Sequence, residues 1–334
     1  LFPGRAGELT LGLLIDTRGI HFDPSHGSDL EDLLMYHPLD DPALISRANA
    51  AMRFMARRHL SKYAATDPAL PGPGPGHVVV IDQVRGDASL AATGADRAIF
   101  LDLLARARAE HPDAQIVVKT HPETASGHRA GHIVQADLTE GMSLLSGPIS
   151  PTRLFEGARA IYTVASRLGA EAIFQGHRPV VAGGPYYAGW GLSRDLSTFP
   201  RRGRQLTAEQ VFAAAMILYP KWYDPVLDRL TGLEETLYAL DAQARAWRED
   251  RQGWAADGMF LWKRPHIRRV FGQHGRLTFG RTATGGQRRM VWARMAKPGD
   301  GDVIRVEDGF LRSRGLGVAL TPPLSLVADD VGIY

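Results

Sequence analysis

The chain contains no cysteine. Disulfides, thiol chemistry and cysteine-based metal sites are therefore excluded, and a reducing cytoplasm is compatible with the composition. Also missing is any apolar run near the roughly 18–20 residues that a bilayer-spanning helix needs. Apolar runs such as 78–81 and 116–118 have the length of strands. No charged-then-apolar leader opens the chain; it begins Leu1-Phe2-Pro3-Gly4-Arg5, without methionine, and reads as the start of a fragment. There is no GxxxxGK[ST] phosphate loop, HExxH helix or GxSxG elbow. The net charge of +3 is too small to argue for a nucleic-acid partner. Two basic clusters, Lys263-Arg264 with Arg268-Arg269 and Arg201-Arg202-Gly203-Arg204, are either solvated faces or contacts for phosphates or an anionic membrane. Asp300-Gly301-Asp302 has the letters of a metal-binding DxD but precedes a strand, so a polar turn is expected, and no metal ligand set is assigned.

What is present is ordinary globular composition, 334 residues with 44% hydrophobic and 22% charged, enough for roughly two or three domains. The pattern predicts a short strand at 11–15, a helix start at Ser28 with Glu31 completing a capping box, and a helix over 42–60. Alternating Pro and Gly at 71–76 sustains neither helix nor ladder and marks a linker. Beyond it, strands at 77–82, 115–119, 160–164 and 179–182 alternate with helices at 96–111, 168–175 and 208–218. Another helix starts at Ser150-Pro151. Such alternation predicts a doubly wound, Rossmann-type α/β fold with a parallel sheet, whose ligands sit at the carboxyl ends of the strands. A long helix is expected over Leu233–Asp250, a second α/β segment from about 261, and a strand at 303–307. The expected domains are 1–70, 77–240, a helical linker at 241–258, and 259–334. An internal repeat aligns 11–21 with 324–334, sharing Leu11/Leu324, Leu13/Leu326, Asp16/Asp329, Gly19/Gly332 and Ile20/Ile333.

Five constellations follow strands. In Asp82-Gln83-Val84-Arg85-Gly86-Asp87-Ala88-Ser89, Gly86 permits a tight turn, and a carboxylate either attacks an anomeric carbon or caps a helix. In Lys119-Thr120-His121-Pro122-Glu123, Lys119 and His121 suit a phosphate or carboxylate, and His121 suits proton transfer; an ordinary proline turn is the alternative. Ser166-Arg167-Leu168-Gly169-Ala170-Glu171 brings a hydroxyl and a helix start to an anion, with Glu171 accepting from sugar hydroxyls or facing solvent. Gly183-Gly184-Pro185-Tyr186-Tyr187-Ala188-Gly189-Trp190 offers aromatics for stacking, or is a structural loop. Glu307-Asp308-Gly309-Phe310-Leu311-Arg312-Ser313 offers arginine for bidentate carboxylate pairing, or is a charged turn.

Taken together, EDGFLRSRGLG (307–317), PPLSLVADDVGIY (322–334), LSKY (60–63), VIDQVRGDASL (80–90), VKTHPE (118–123) and SRLGAEAIFQGHRPVVAGGPYYAGWGLS (166–193) resemble the capsule polysaccharide β-Kdo transferases of the KpsC/LipA type. The resemblance covers almost the whole chain. It implies a GT-B-like arrangement, an out-of-phase piece of a tandem two-module protein, with 1–70 the remainder of an acceptor domain, 77–240 the donor domain and 259–334 the start of a second module. It implies retaining transfer of Kdo from CMP-Kdo, with no other cofactor, to a Kdo-bearing phosphatidylglycerol-type glycolipid at the cytoplasmic face of the inner membrane, beside the capsule assembly and export machinery. Asp87 would be the nucleophile, with Asp82 second; His121 would sit at the CMP phosphate with Lys119, Pro122 and Glu123 beside it. Ser166 and Gly169 would hold the same phosphate, Glu171 the ribose, and Gly184, Tyr186, Tyr187 and Trp190 the cytosine or Kdo. Gln83, Gly86 and Ser89 would complete the donor site; Glu307, Asp308, Arg312 and Ser313 would hold acceptor. Other readings are a non-catalytic CMP-sugar or polysaccharide binder, and a GT-B enzyme using another nucleotide sugar. Thr17 and His21 depart from the Asp-Asp-x-Gly-Ile-Tyr pattern of the second copy, and residues 1–10 lack an EDGF stretch.

Overall fold

A computed structural model describes residues 9–280, 282–297, 299–315 and 319–331, grouped in two compact units, Leu1–Asp241 and Ala242–Tyr334. The first unit opens with a strand of two residues, β1 (Gly12–Leu13), shorter than the 11–15 expected and outside the parallel sheet. Helix α1 (Asp29–Tyr36) is capped by Ser28, whose hydroxyl accepts the Glu31 N–H. The expected reciprocal bond from Glu31 is absent, because its carboxylate is taken by Arg201 and Arg202. Helix α2 (Pro42–Arg58) starts on an Asp41 cap with proline at its first turn and stops at His59, whose left-handed φ of 54° turns the chain away. The linker then leads into β2 (Val78–Ile81), α3 (Ala88–Ala91), α4 (Arg97–Glu110), β3 (Ile116–Lys119), α5 (Pro122–Ala125), β4 (Met142–Leu145), α6 (Pro151–Phe155), β5 (Ala160–Thr163), α7 (Leu168–Phe174), β6 (Val180–Val181), β7 (Arg194–Asp195) and α8 (Ala208–Phe212).

The six strands of this stretch form one parallel sheet in the order β4-β3-β2-β5-β6-β7. Counted along the sheet's own strands this is 3-2-1-4-5-6, the Rossmann order. The four expected strands are present, and β4 and β7 are two more that the sequence reading missed. Val78, Val79, Val80 and Ile81 are all buried, as both faces of such a sheet require. One face packs Phe100, Leu103 and Leu104 of α4; the other packs Leu154 and Phe155 of α6. The helix expected over 208–218 continues past α8 as a π-helical turn, Ala213–Leu218, which leads into the antiparallel pair β8 (Lys221–Asp224) and β9 (Arg229–Thr231). Strand β1 pairs with β8.

Helix α9 (Leu233–Asp250) forms where expected. In the second unit, β10 (Trp254–Asp257), α10 (Arg264–Phe271), β11 (Leu277–Phe279), β12 (Arg288–Trp292), β13 (Ile304–Asp308) and β14 (Leu326–Asp329) give a sheet of order β11-β10-β12-β13-β14. The expectation of a helical linker running to 258 is corrected: 254–257 is a buried strand of this sheet. The repeat has a structural counterpart. Asp16 accepts the Arg18 N–H at 3.0 Å, and its partner in the alignment, Asp329, accepts the Val331 N–H at 2.8 Å, the same side-chain turn. Residues 332–334 of the repeat, and Leu316 and Gly317 of the EDGF stretch, lie outside the described residues.

Candidate functional site

Between β2 and β5 the chain connections leave the sheet in opposite directions, which opens a crevice at the strand ends. The loops after β2, β3, β5 and β6 meet there around a cavity of about 950 Å³ in the first unit. Buried Gln83 ties the crevice together: its Oε1 accepts the Ala165 N–H at 2.9 Å from the tip of β5, and its Nε2 lies 3.4 Å from the Ser89 hydroxyl.

The two aspartates differ in kind. Asp82 is 2% exposed. Its Oδ1 accepts the His132 N–H at 3.1 Å, while Oδ2 has no hydrogen-bond partner among the described residues. Burial pushes its carboxyl up to about 6. A Cβ at Gly131 would lie 2.2 Å from Oδ2, so the glycine is what lets that backbone reach the carboxylate. Asp82 thus holds the 131–133 segment. Asp87 caps α3, its Oδ1 accepting from the Ser89 amide at 2.9 Å and hydroxyl at 2.7 Å. Burial works to raise its carboxyl, but the Ser89 and Gln83 bonds and, least of them, the nearby Lys62 charge outweigh it and leave it below the ordinary aspartate value. At neutral pH Asp87 is an ionised carboxylate facing the cavity, and capping uses one of its oxygens. Gly86 supplies the left-handed turn before it, φ 72°, outside the cavity wall.

On the β3 side, burial brings the Lys119 amine down to about 8, and its Nζ donates to Gly147 O at 3.2 Å. His121 caps α5: its Nδ1 accepts the Glu123 N–H at 3.2 Å. A nitrogen that accepts cannot carry the proton, so the neutral ring is protonated at Nε2. Nε2 lies 3.5 Å from the Tyr63 hydroxyl, and burial holds the imidazole below its usual value. Pro122 lines the cavity; Glu123 turns outward to Arg129 at 3.4 Å.

Ser166, Glu171, Tyr186 and Tyr187 line the cavity, whereas Gly169, Gly184 and Trp190 do not. The Ser166 hydroxyl accepts the Leu168 N–H at 3.3 Å, and Tyr187 donates to Ser166 O at 2.5 Å. Gly169 makes room for that tyrosine: a Cβ would stand 2.1 Å from its hydroxyl. Gly184 packs against Pro24, and fully buried Trp190 braces the loop from beneath through Nε1 to Tyr186 O at 2.8 Å. Glu171 is buried, and its Oε1 accepts the Lys62 N–H at 3.4 Å; burial raises its carboxyl.

Sequence reasoning gave no role to Ser61, Lys62, Tyr63, His21, Phe22, Arg167, Tyr219 or Trp222, all of which line the cavity. The LSKY stretch was the one available signal for the first three; Arg167 lies inside the Ser166–Glu171 constellation, and the others come from segments distant in sequence. Arg202 is buried and Arg204 half-buried, while Arg201 stays exposed, yet all three are bonded. The first two pair with Glu31, and Arg204 donates to His37 O and Pro38 O, so that cluster is corrected to a structural clamp. Glu307, Asp308, Arg312 and Ser313 belong to the second unit. There Asp308 pairs with Arg312 at 2.7 Å and Lys263 at 3.3 Å, Arg312 donates to Ser313 Oγ at 2.8 Å, and Glu307 accepts the Asp308 N–H at 3.1 Å.

Comparison with known proteins now bears on this geometry. The family model for capsule polysaccharide biosynthesis proteins matches residues 35–221. The capsule polysaccharide modification protein LipA of Neisseria meningitidis serogroup B is 33% identical over 99% of this chain and 51% of its own length. The lipopolysaccharide-processing protein LpsZ of Rhizobium meliloti is 34% identical over 71% of this chain and 55% of its own. The chain therefore spans about half the length of the curated relatives it matches. Among solved structures, Thermosulfurimonas dismutans KpsC, titled a beta Kdo 2,4 transferase, superposes with TM-score 0.66 at 33% identity, covering 69% of this chain and 73% of that one. A KpsC of the same organism, titled a beta Kdo 2,7 transferase, gives 0.56 at 26% identity, over 70% and 72%. The family match spans more than half of the chain and includes Asp82, Asp87, Lys119, His121, Ser166 and Glu171 of the cavity: the chain belongs to the capsule polysaccharide biosynthesis proteins of the KpsC/LipA type.

Proposed function

We propose that the first unit is the donor half of a retaining Kdo glycosyltransferase that uses CMP-Kdo. The observation that carries this reading is the pairing, in one cavity at the sheet's switch point, of ionised Asp87 with the Nε2–H of His121 and the Lys119 ammonium. A carboxylate nucleophile and a cluster of anion-binding donors are what transfer from a sugar phosphate ester with retention needs. Asp87 attacks the anomeric carbon as the bond to the CMP phosphate oxygen breaks. His121 and Lys119 hold the phosphate that departs. An acceptor hydroxyl then displaces Asp87 from the same face the nucleotide left, losing its proton to solvent, and the two inversions give net retention. The titles of the two KpsC structures support Kdo as the sugar.

In this reading the acceptor is a Kdo-bearing glycolipid at the cytoplasmic face of the inner membrane, close to the capsule export machinery. The Glu307, Asp308, Arg312 and Ser313 cluster begins the acceptor side of a second module, which the matching turns at Asp16 and Asp329 support. No helix among the described residues is long and apolar enough to cross a membrane. A thermal-shift series with CMP, UMP and GMP tests the nucleotide, since selective binding raises apparent stability by mass action. CMP should give the largest shift, and a larger one with UMP or GMP would reject CMP-Kdo. Asp87→Ala should abolish transfer while CMP still binds; undiminished transfer would move the nucleophile elsewhere.

A further inference from the structure

Three short-range facts single out the segment that leaves α2. The left-handed His59 turns the chain, and its ring, 2.8 Å from the Ser150 hydroxyl, ties that turn to the start of α6. Ser61, Lys62 and Tyr63 then line the cavity. Glu171, 7% exposed, accepts the Lys62 main-chain N–H, so the segment is fastened by its backbone and the Lys62 side chain is left to project. Tyr63 meets the His121 ring edge-on, with centroids 5.7 Å apart.

The Lys62 side chain is exposed, its Nζ 5.1 Å from the Tyr63 ring centre, and it makes no ion pair with a carboxylate among the described residues. Its charge nevertheless acts on Asp87, His121 and Glu171 alike. The other cations of the cavity are placed differently. Lys119 is buried at the tip of β3 and bonded to Gly147 O, beside His121. Arg167 also acts on Glu171, more strongly than Lys62 does, but its guanidinium is engaged on the aromatic side, reaching the Met216 sulfur at 3.4 Å.

The proposed substrate makes a particular demand. A ketose acid such as Kdo carries its carboxylate on the anomeric carbon itself, so that anion must come within a bond of the atom Asp87 attacks. Two like charges at that distance repel strongly in a partly desolvated site, unless a cation lies against both. We propose that Lys62 is that cation: a specificity-determining residue that holds the carboxylate of the acidic sugar beside Asp87, with Glu171 as the positioning residue that fixes the segment presenting it. This inference rests on the CMP-Kdo reading above and assigns the sugar, as distinct from the phosphate, to a residue outside the central sheet.

Calorimetric titration with CMP and with freshly prepared CMP-Kdo tests it without needing an acceptor. The parent chain should bind CMP-Kdo more tightly than CMP. Lys62→Gln, an exposed substitution expected to leave Tm unchanged, should lose roughly 10- to 100-fold in CMP-Kdo affinity, the size of a lost charged hydrogen bond. Its CMP affinity should stay within about threefold, and Lys62→Arg should recover most of the loss. Equal losses for both ligands would reassign Lys62 to the phosphate and overturn the proposal, as would no loss for either. A parent chain that binds neither ligand would instead overturn the CMP-sugar reading, and this inference with it.

Discussion

At the scale of single residues, one crevice holds two carboxyls prepared for different work. Asp87 has lost its proton at neutral pH; Asp82, without a donor for Oδ2 among the described residues, releases its own only near pH 6. A carboxyl whose folded value lies above its unfolded 3.8 binds its proton more tightly in the native state. Stability is therefore full below that unfolded value and falls as pH rises through about 6. Asp82→Asn keeps an acceptor for the His132 N–H and removes the buried charge. Denaturant titrations should show it more stable than the parent at pH 8, by about 2–3 kcal/mol at most, and no more stable at pH 4. A gain that does not depend on pH would remove the charge from the explanation. Gly169 offers a sharper geometric test. Gly169→Ala drives a methyl into the Tyr187 hydroxyl and should cost roughly 1–3 kcal/mol. Added Tyr187→Phe should return part of that loss, although alone it gives up the bond to Ser166 O; strict additivity would mean that the two do not meet.

At the scale of elements, the parallel strands were legible because four buried runs of β-branched residues alternate with capped amphipathic helices. Strand β4 was not. Its residues 142–145 are only half buried at the sheet edge, and their sequence Met-Ser-Leu-Leu carries no β-branched signal. Strand β7, two residues long, has no pattern to read. For the site, residues immediately after strands were legible through strand-end logic and the family resemblance, and Asp87, Lys119, His121, Ser166 and Glu171 do share one cavity. The roles of neighbours were less so. Trp190 sits in a loop and Gly169 in the first turn of α7, both beside ligand-type residues, yet their contacts are internal packing. What no local pattern could give was most of the far wall, which comes from 12–22 and 215–222; only 61–63, in the LSKY stretch, carried a signal. Glu171 joins the two kinds of element. Glu171→Ala frees the 61–63 segment and should weaken CMP-Kdo binding several-fold more than CMP binding, whereas Glu171→Gln, which keeps the accepting carbonyl, should restore it. Equal weakening for both ligands would return Glu171 to the ribose.

On the scale of the whole first unit, arginines near 201 add a polar clamp to an apolar core. Arg202, 7% exposed, joins Glu31 of α1 at 2.9 Å to the carbonyls of Pro185 and Ala188, and so links the N-terminal helices to the aromatic loop. Arg202→Met leaves those acceptors unsatisfied inside the protein and should lower stability by roughly 3–5 kcal/mol, read as a fall in denaturant midpoint. A change below about 0.5 kcal/mol would mean that the clamp is ornamental.

The capping bond of His121 carries a consequence for acid conditions. A second proton can enter the ring only at Nδ1, the atom already engaged by the Glu123 amide. Acidification therefore sets extra positive charge against the first turn of α5: the imidazolium that would attract an anion more strongly is the one that lets go of its own helix. On the proposed reading, a charged ring at this position grips a phosphate only by giving up its helix cap.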